Sequence, residues 1–251
     1  MRVSVVDFLN ARPLVWGLLR NPPPGFEVSR DMPSVCADRL RDGSADAGLI
    51  PSIELWRIPD LQRVAGLGIA ADSEVRSVLL VSNVSREKIR SVRFDPSSRT
   101  SAALVRVLLK RRYGITVESR DEGADAELII GDPAMKADLR GRVVLDLASE
   151  WRSLTGFPFV FAVWAARKEA WSEELRSALF DSYRASVCAF DAMIDSEIEA
   201  FRDNAGARLS RALVEDYLRH CLHYELTEAD ENGLNLFRCW AREDGLIGGT
   251  P

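Results

Sequence analysis

Short apolar runs that alternate with amphipathic segments constrain the fold of this chain more than any other feature. The runs RVSVVDFL, ADAGLIP, SVLLVSN, SVRFD, AELIIGD and FVFAVWAAR are typical of buried strands. The segments ARPLVWGLLR, SVCADRLRDG and SSRTSAALVRVLLKRRYG predict helices, the last two ending at Gly43 and Gly114. PAMKADLRG predicts a short helix, and RVVLDLASEW predicts a strand that runs into a loop. This order predicts an α/β fold with largely parallel sheets.

The last third of the chain has a helical pattern instead. WSEELRSALFDSYRASVCAFDAMIDSEIEAF and SRALVEDYLRHCLHYEL both repeat apolar residues at helical spacing, which predicts helical structure. In TEADENGLNLFRCWARE, Thr227 precedes Asp230 by three residues, which is typical of a capping box at a helix start. The apolar positions at helical spacing in the first of these segments are Leu175, Leu179, Tyr183, Val187, Phe190, Ile194 and Ile198.

No linker separates two domains, so we expect a split arrangement. The strands SVLLVSN and FVFAVWAAR bracket residues 84–158. If both strands cross between lobes, residues 1–83 plus 159–251 form lobe I, with the C-terminal helices, and residues 84–158 form an inserted lobe II. A ligand would then bind in the cleft between the lobes, where hinge closure excludes water.

Composition excludes several classes of function. The formal net charge of −5 argues against a nucleic-acid partner, because such binding depends on clustered Lys and Arg. No apolar run reaches the roughly 20 residues of a membrane span. The N-terminus lacks the basic and apolar regions of a signal peptide, so we expect a cytoplasmic protein whose four cysteines are small core residues.

Histidine is scarce, which limits acid–base and metal chemistry. The only two, His220 and His223, lie in the helical tail, and the sequence supplies no third ligand beside them. We therefore expect no metal site and no Ser-His-Asp triad.

Polar residues follow several strands, at the sheet edge where parallel α/β proteins bind ligands. Asn10 follows the first strand, Ser52 follows ADAGLIP, and Asp132 follows AELIIG. Each has a plain structural alternative, as a cap or turn residue. Arg76 and Ser77 precede SVLLVSN, where a solvated strand entry is the alternative.

The cluster SSRTS is the strongest signal for a ligand. A helix N-terminus carries unpaired N–H groups and partial positive charge, so it holds anions. The hydroxyls of Ser98, Thr100 and Ser101 add donors, and Arg99 can pair with a carboxylate. Ordinary N-capping by Ser97 or Ser98 needs only one hydroxyl, and this stretch has four. We predict an anion site here.

Several motifs together resemble one enzyme family. DFLNARPL, ADAGLIPSIEL, VRSVLLVS, FDPSSRTSAALVRVLL, IIGDPAM and DLASEWRSLTGFPFVFAVWAAR occur in order, and the chain resembles chorismate dehydratase of the futalosine route to menaquinone over essentially its whole length. The C-terminal helices match mainly in length and pattern. Phe8 stands where the family often has Tyr, so a hydroxyl is lost there.

The resemblance implies a periplasmic-binding-protein-like fold of type II with two α/β lobes. It implies a hydro-lyase that converts chorismate to 3-[(1-carboxyvinyl)oxy]benzoate without a cofactor, as a monomer or homodimer. In this interpretation Asn10 and Ser77 act on the reacting part of the ring. The residues expected to bind the substrate are Ser52, Arg76, Ser98, Arg99, Thr100, Ser101 and Asp132.

Three alternatives remain at this stage. The sister enzyme 1,4-dihydroxy-6-naphthoate synthase shares the fold but is expected to need a histidine base. An organic-anion-binding protein would normally be exported. A sensor domain of a transcription regulator would usually carry a helix-turn-helix segment. Loss of one water from chorismate discriminates among them.

Overall fold

Two mixed β-sheets form the framework of the protein, which a computed structural model describes over residues 1–200 and 209–248. The first sheet has the strand order β11-β4-β10-β3-β1-β2, and the second has the order β7-β6-β8-β5-β9. The strands are β1 (Arg2–Val6), β2 (Glu27–Asp31), β3 (Ala47–Pro51), β4 (Leu61–Ala71), β5 (Val78–Ser82), β6 (Ser91–Arg93), β7 (Glu118–Ser119), β8 (Ala126–Ile130), β9 (Val143–Asp146), β10 (Phe159–Arg167) and β11 (His223–Glu225).

The α/β class is confirmed, but the prediction of largely parallel sheets was wrong. In the first sheet β1 runs parallel to β2 and β3, whereas β10 runs antiparallel to β3 and β4. In the second sheet β6 runs parallel to β7 and β8, whereas β5 runs antiparallel to β8 and β9. The chain passes from the first sheet into the second at β5 and returns to the first sheet at β10. Both strands run antiparallel to their neighbours.

The helices pack around these sheets. They are α1 (Arg12–Arg20), α2 (Pro33–Asp42), α3 (Arg99–Tyr113), α4 (Asp132–Lys136), α5 (Leu147–Thr155), α6 (Glu173–Cys188), α7 (Phe190–Ala200), α8 (Arg211–Asp216) and α9 (Glu228–Glu243). Helices α2 and α3 end at Gly43 and Gly114, both left-handed as their positions require. Helix α5 replaces the loop expected after β9, because the Asp146 carboxylate accepts the N–H of Ala148 and Ser149 at 3.1 Å and caps it.

The C-terminal part departs from the sequence pattern in two places. The helical segment before residue 201 is divided into α6 and α7, and Val187, one of its apolar positions at helical spacing, is 50% exposed. The helix expected over SRALVEDYLRHCLHYEL stops early, since Tyr217–Cys221 forms a π-helix and β11 follows it. The capping box of Thr227 and Asp230 is confirmed.

The chain passes between the sheets twice. Residues 72–77 lead from β4 to β5, and residues 147–158 lead from β9 back to β10. The lobe boundaries at 84 and 158 stay predictions. Sheet membership favours a first boundary before β5, and residues 201–208 and 249–251 of lobe I lie outside the described residues.

The prediction that the four cysteines are core residues was correct for two of them. Cys36 and Cys221 are buried, whereas Cys188 and Cys239 are exposed. None of the described helices combines the length and apolarity that a membrane-spanning segment needs.

Candidate active site

A cleft lies where the two sheets face each other, with about 570 Å³ of space including its open mouth. Side chains from both sheets and their connections line it. Its walls are mainly apolar, and polar groups come from a few positions only. The apolar lining includes Val6, Phe8, Ile69, Val75, Ile130 and Phe161. Such a lining, with few converging polar groups, is typical of small-molecule sites.

The strand ends explain why these polar groups converge. Asn10 follows β1 of the first sheet, and Gly131 follows β8 of the second. Ser77 precedes β5, and β5 is antiparallel to β8, with Val78 opposite Ile130. The beginning of β5 therefore meets the carboxyl end of β8, and the Gly131 N–H donates to the Ser77 carbonyl at 2.7 Å. Asn10 and Ser77 both line the cleft.

The N-terminus of α3 also faces the cleft. Residues 97–101 all line it, and the first helical hydrogen bond starts only at the Ala102 N–H, which donates to Ser98. Among the described residues, the hydroxyls of Ser98 and Ser101 have no hydrogen-bond partner. Ser98 is the N-cap residue, yet its side chain makes no capping bond. The hydroxyl-rich turn thus presents free donors to the cleft instead of capping its own helix.

Thr100 and Ser52 join the two sheets at the base of this turn. The Ile53 N–H donates to Thr100 Oγ1 at 3.2 Å, and the buried Ser52 Oγ donates to the Val160 carbonyl at 2.8 Å. Thr100 lines the cleft, whereas Ser52 does not. The expected contact of Ser52 with substrate is therefore not supported by its placement, because its hydroxyl already binds the backbone of β10.

Arg99 lines the cleft but is already engaged. Its guanidinium contacts Asp38 at 2.7 Å and Glu54 at 3.2 Å. The positive character of this turn therefore comes mainly from the free N–H groups of the helix terminus.

Arg76 lies outside the cleft. Its guanidinium contacts Asp216 at 2.5 Å and Glu74 at 3.2 Å, and its side chain is directed to the outer surface. Substrate binding by the Arg76 side chain is thus not what the structure favours. The backbone turn at Arg76, however, positions Ser77.

Asp132 is not among the residues that line the cleft, although its neighbour Gly131 is. Its Oδ1 accepts the Leu9 N–H at 3.3 Å, a contact between the connections that follow β1 and β8. Burial raises the pKa of Asp132 to about 6. Gly131 in front of it has a φ of +65°, and a Cβ there would lie 3.3 Å from the Phe8 ring. The Phe8 ring thus rests on Gly131.

Tyr217, which lies in the segment SRALVEDYLRHCLHYEL, contacts one of the two predicted catalytic residues. Its hydroxyl donates to Ser77 Oγ at 2.6 Å. Burial raises the pKa of this hydroxyl, and hydrogen bonding to the Ser77 and Asn10 side chains partly opposes the rise. The helical pattern of the C-terminal part gave no sign of this contact, because Tyr fits a core pattern equally well.

The histidines take no part in the cleft. His220 is exposed, and His223 Nε2 contacts Asp230 Oδ1 at 2.7 Å. Over residues 1–200 and 209–248, no group of three or more His, Cys, Asp or Glu side chains is placed to hold a metal ion.

Solved structures share the fold of this chain. A protein from Archaeoglobus fulgidus superposes with a TM-score of 0.77 at 15% identity, over 98% of both chains. The periplasmic aliphatic sulphonate-binding protein of Escherichia coli superposes with a TM-score of 0.64 at 16% identity, over 99% of this chain and 94% of that one. The expected periplasmic-binding-protein-like fold is therefore confirmed.

Sequence relatives point to a narrower family. A chorismate dehydratase of Campylobacter jejuni is 35% identical over 62% of this chain, and the match spans 63% of that relative's length. A chorismate dehydratase of Thermus thermophilus is 29% identical over 90% of this chain and 94% of its own length. A family model described as menaquinone biosynthesis matches residues 1–243. The chain therefore belongs to the menaquinone biosynthesis family, with chorismate dehydratases among its relatives.

Proposed function

We propose that the protein is a hydro-lyase that converts chorismate to 3-[(1-carboxyvinyl)oxy]benzoate and water. The observation that carries this proposal is a single cleft that holds both the free N-terminus of α3 and the pair Asn10 and Ser77. The relatives named chorismate dehydratase support the choice of substrate.

The donors at α3 suit the charge of this substrate. Chorismate carries two carboxylates, and the chain has a net charge of −5, so local donors must offset the overall repulsion. The free N–H groups of the helix start, with the hydroxyls of Ser98, Thr100 and Ser101, supply them. We place the ring carboxylate there, and the apolar walls then contact the ring.

The reaction breaks two bonds on the ring. The hydrogen on the carbon that bears the enolpyruvyl ether leaves as a proton, and the neighbouring carbon loses its hydroxyl. The electron pair of the broken C–H bond enters the ring, which becomes aromatic. Because that C–H is conjugated through a double bond to the ring carboxylate, negative charge develops on the carboxylate as the proton leaves. Helix N–H groups aimed at this charge stabilise the transition state.

We propose that the enolpyruvyl carboxylate of the substrate is the proton acceptor. No histidine lines the cleft over the described residues, and Asp132, which accepts the Leu9 N–H with one oxygen, is not among the lining residues either. The departing hydroxyl then takes the proton, and water leaves. Asn10 and Ser77 orient the hydroxyl and the acceptor, so that positioning and electrostatics carry the catalysis.

The basic experiment follows chorismate by ultraviolet absorbance and by mass. The proposal expects loss of one water and formation of the benzoate product by the purified protein. An unchanged chorismate that nevertheless binds would instead favour the organic-anion-binding protein, the second candidate that the fold allows.

A second experiment tests the proton acceptor. We expect Asn10→Ala and Ser77→Ala to lower kcat strongly, and Asp132→Asn to retain most of it. If Asp132→Asn abolishes turnover while chorismate still binds, and Asn10→Ala is harmless, the substrate is not its own base. Asn is the matched variant at position 132, because it has the same size as Asp and lacks only the charge.

A further inference from the structure

The hydroxyl of Tyr217 contacts a residue that lines the cleft. Tyr217 is 1% exposed and begins the π-helix after α8, so it approaches the cleft from the C-terminal helical part. Its hydroxyl donates to Ser77 Oγ at 2.6 Å. The distance is short for an O–H···O hydrogen bond, and both partners are buried.

The hydrogen bond from Tyr217 determines which further hydrogen bonds the Ser77 hydroxyl can make. A serine hydroxyl has one hydrogen to donate, and its lone pairs accept. Since Ser77 Oγ accepts from Tyr217, its own hydrogen needs another acceptor, and the described residues supply none. Ser77 lines the cleft, so the unused hydrogen is available to a ligand there. The buried serine is thereby a donor toward the cleft.

Asn10 lines the same cleft as Ser77. Its Oδ1 atom is buried and has no hydrogen-bond partner among the described residues. An amide oxygen only accepts hydrogen bonds, so Asn10 holds an unused acceptor.

Ser77 and Asn10 thus present complementary hydrogen-bonding groups to the same cleft. One offers an unused hydrogen and the other an unused acceptor oxygen. An alcohol is the group that satisfies both, since it accepts one hydrogen bond and donates another. Buried polar groups without partners cost stability, so two of them beside one cleft indicate a ligand group that completes the pair.

We propose that Tyr217 is a positioning residue that sets Ser77 as a donor toward the cleft, so that Ser77 and the acceptor Asn10 together grip the leaving hydroxyl of the substrate. The inference rests on the proposed dehydration. Donation from Ser77 to the hydroxyl oxygen assists its departure, whereas the acceptor Asn10 holds its hydrogen. Without Tyr217 the Ser77 hydroxyl loses the donor that fixes its rotation, and its hydrogen is no longer directed toward the cleft.

The test compares Tyr217→Phe with Tyr224→Phe in the full chain. Tyr224 is a matched control, because it is buried nearby in the same part of the chain and its hydroxyl has no hydrogen-bond partner among the described residues. We expect Tyr217→Phe to lower kcat for chorismate by about 10- to 100-fold with little change in KM, as expected for loss of alignment. Tyr224→Phe should keep the wild-type kcat. Circular dichroism checks that both variants fold.

A double variant separates positioning from general stability. If Tyr217 acts through Ser77, the variant Ser77→Ala with Tyr217→Phe should be no slower than Ser77→Ala alone. Multiplied losses would show that Tyr217 acts independently and would overturn the inference, as would a wild-type kcat in a folded Tyr217→Phe. A folded Tyr217→Phe that loses turnover only through a higher KM would also overturn it.

Different results would overturn the proposed dehydration and the role of Tyr217. A wild-type protein that releases no water from chorismate overturns the proposed function together with the inference built on it. A wild-type protein that is active while Tyr217→Phe keeps its kcat overturns the inference alone.

Discussion

The carboxylate of Asp146 accepts the backbone N–H of Arg76 at 2.7 Å, and Arg76 holds a φ of +59°, a conformation that side-chain-bearing residues rarely adopt. The Ser77 N–H donates to the Val75 carbonyl at 2.7 Å, so the three residues form a tight γ-turn. Asp146 also accepts the Val75 N–H at 3.0 Å and caps α5. One carboxylate thus holds the strained turn that places Ser77 in the cleft.

Asp146→Ala is expected to destabilise the protein and to displace Ser77. Four backbone N–H groups lose their acceptor, which corresponds to about 2–4 kcal/mol in the free energy of unfolding. We expect kcat to fall more than the affinity for substrate, because Ser77 loses its alignment. Denaturant unfolding and steady-state kinetics measure the two effects.

Asp138→Ala is the control for this prediction. Asp138 is exposed and contacts Arg140 only two residues away, so its loss should change the free energy of unfolding by less than about 0.5 kcal/mol. Equal stability losses in the two variants would contradict the role given to Asp146.

Asp132 is expected to make the protein less stable as the pH rises from about 4 to 6. Its folded-state pKa of about 6 lies above the ordinary value of 3.8, because burial disfavours the charged carboxylate. The folded state therefore binds a proton more strongly than the unfolded state in this window, and its stability falls as the pH increases. The difference corresponds to roughly 3 kcal/mol at neutral pH.

Asp132→Asn should remove this slope, as measured by denaturant unfolding at several pH values, while the amide oxygen can still accept the Leu9 N–H. Asp125→Asn is a control of opposite sign. The N–H groups of Arg90 and Ser91 lower the pKa of Asp125, so its contribution is present above the ordinary pKa and is lost as the pH falls. A slope unchanged by Asp132→Asn would refute the assignment.

Gly131→Ala should be more harmful than Gly156→Ala. Both glycines have positive φ, but the Gly131 conformation (φ +65°, ψ −149°) is one that only glycine adopts readily, and the new methyl would press on the Phe8 ring at 3.3 Å. At Gly156 a Cβ meets nothing within 4 Å. We expect losses of about 2–4 kcal/mol at 131 and about 1 kcal/mol at 156, with catalysis impaired only at 131.

Ser101→Asp separates an anion site from an ordinary helix start. A negative charge in the first turn of α3 favours the helix dipole, so the melting temperature should stay or rise. The same charge repels the substrate carboxylate, so KM should increase strongly. Ser101→Asn, which has the same shape without charge, should raise KM much less. An unchanged KM in Ser101→Asp would indicate that the substrate carboxylate binds elsewhere.

The amino analogue of chorismate tests the hydroxyl site. Replacing the ring hydroxyl by an ammonium group removes the lone pairs that Ser77 needs, since an ammonium only donates. We expect the analogue to inhibit with an affinity about 10- to 100-fold below that of the hydroxyl compound. Ser77→Ala should tighten the analogue and weaken chorismate. Equal affinities in the wild type would argue against a donor at Ser77.

Much of the fold could be predicted because local pattern and tertiary structure agree. The six apolar runs became β1, β3, β5, β6, β8 and β10, and the hydroxyl-rich start of α3 lines the cleft as the free-donor argument required. Glycine C-caps at Gly43 and Gly114 fixed two helix ends. The strands, the start of α3 and the glycine C-caps each depend on residues that are close together in sequence.

Structural features that depend on residues distant in sequence could not be predicted from the local pattern. Strand β4 lacks a clear alternation, and β11 forms only because His223 and Glu225 pair with β4. Helix α5 depends on a cap that also serves a turn about 70 residues earlier. Ser52 and Arg76 were predicted to bind substrate from their positions beside strands, but the backbone of β10 and the carboxylate of Asp216 already occupy their side chains.

The hydrogen bond between Tyr217 and Ser77 joins the segment that leads into β11 of the first sheet to the residue directly before β5 of the second. An opening of the cleft that moved Tyr217 away from Ser77 would break this bond and leave the Ser77 hydrogen undirected. Closure of the cleft and alignment of Ser77 would then be one event.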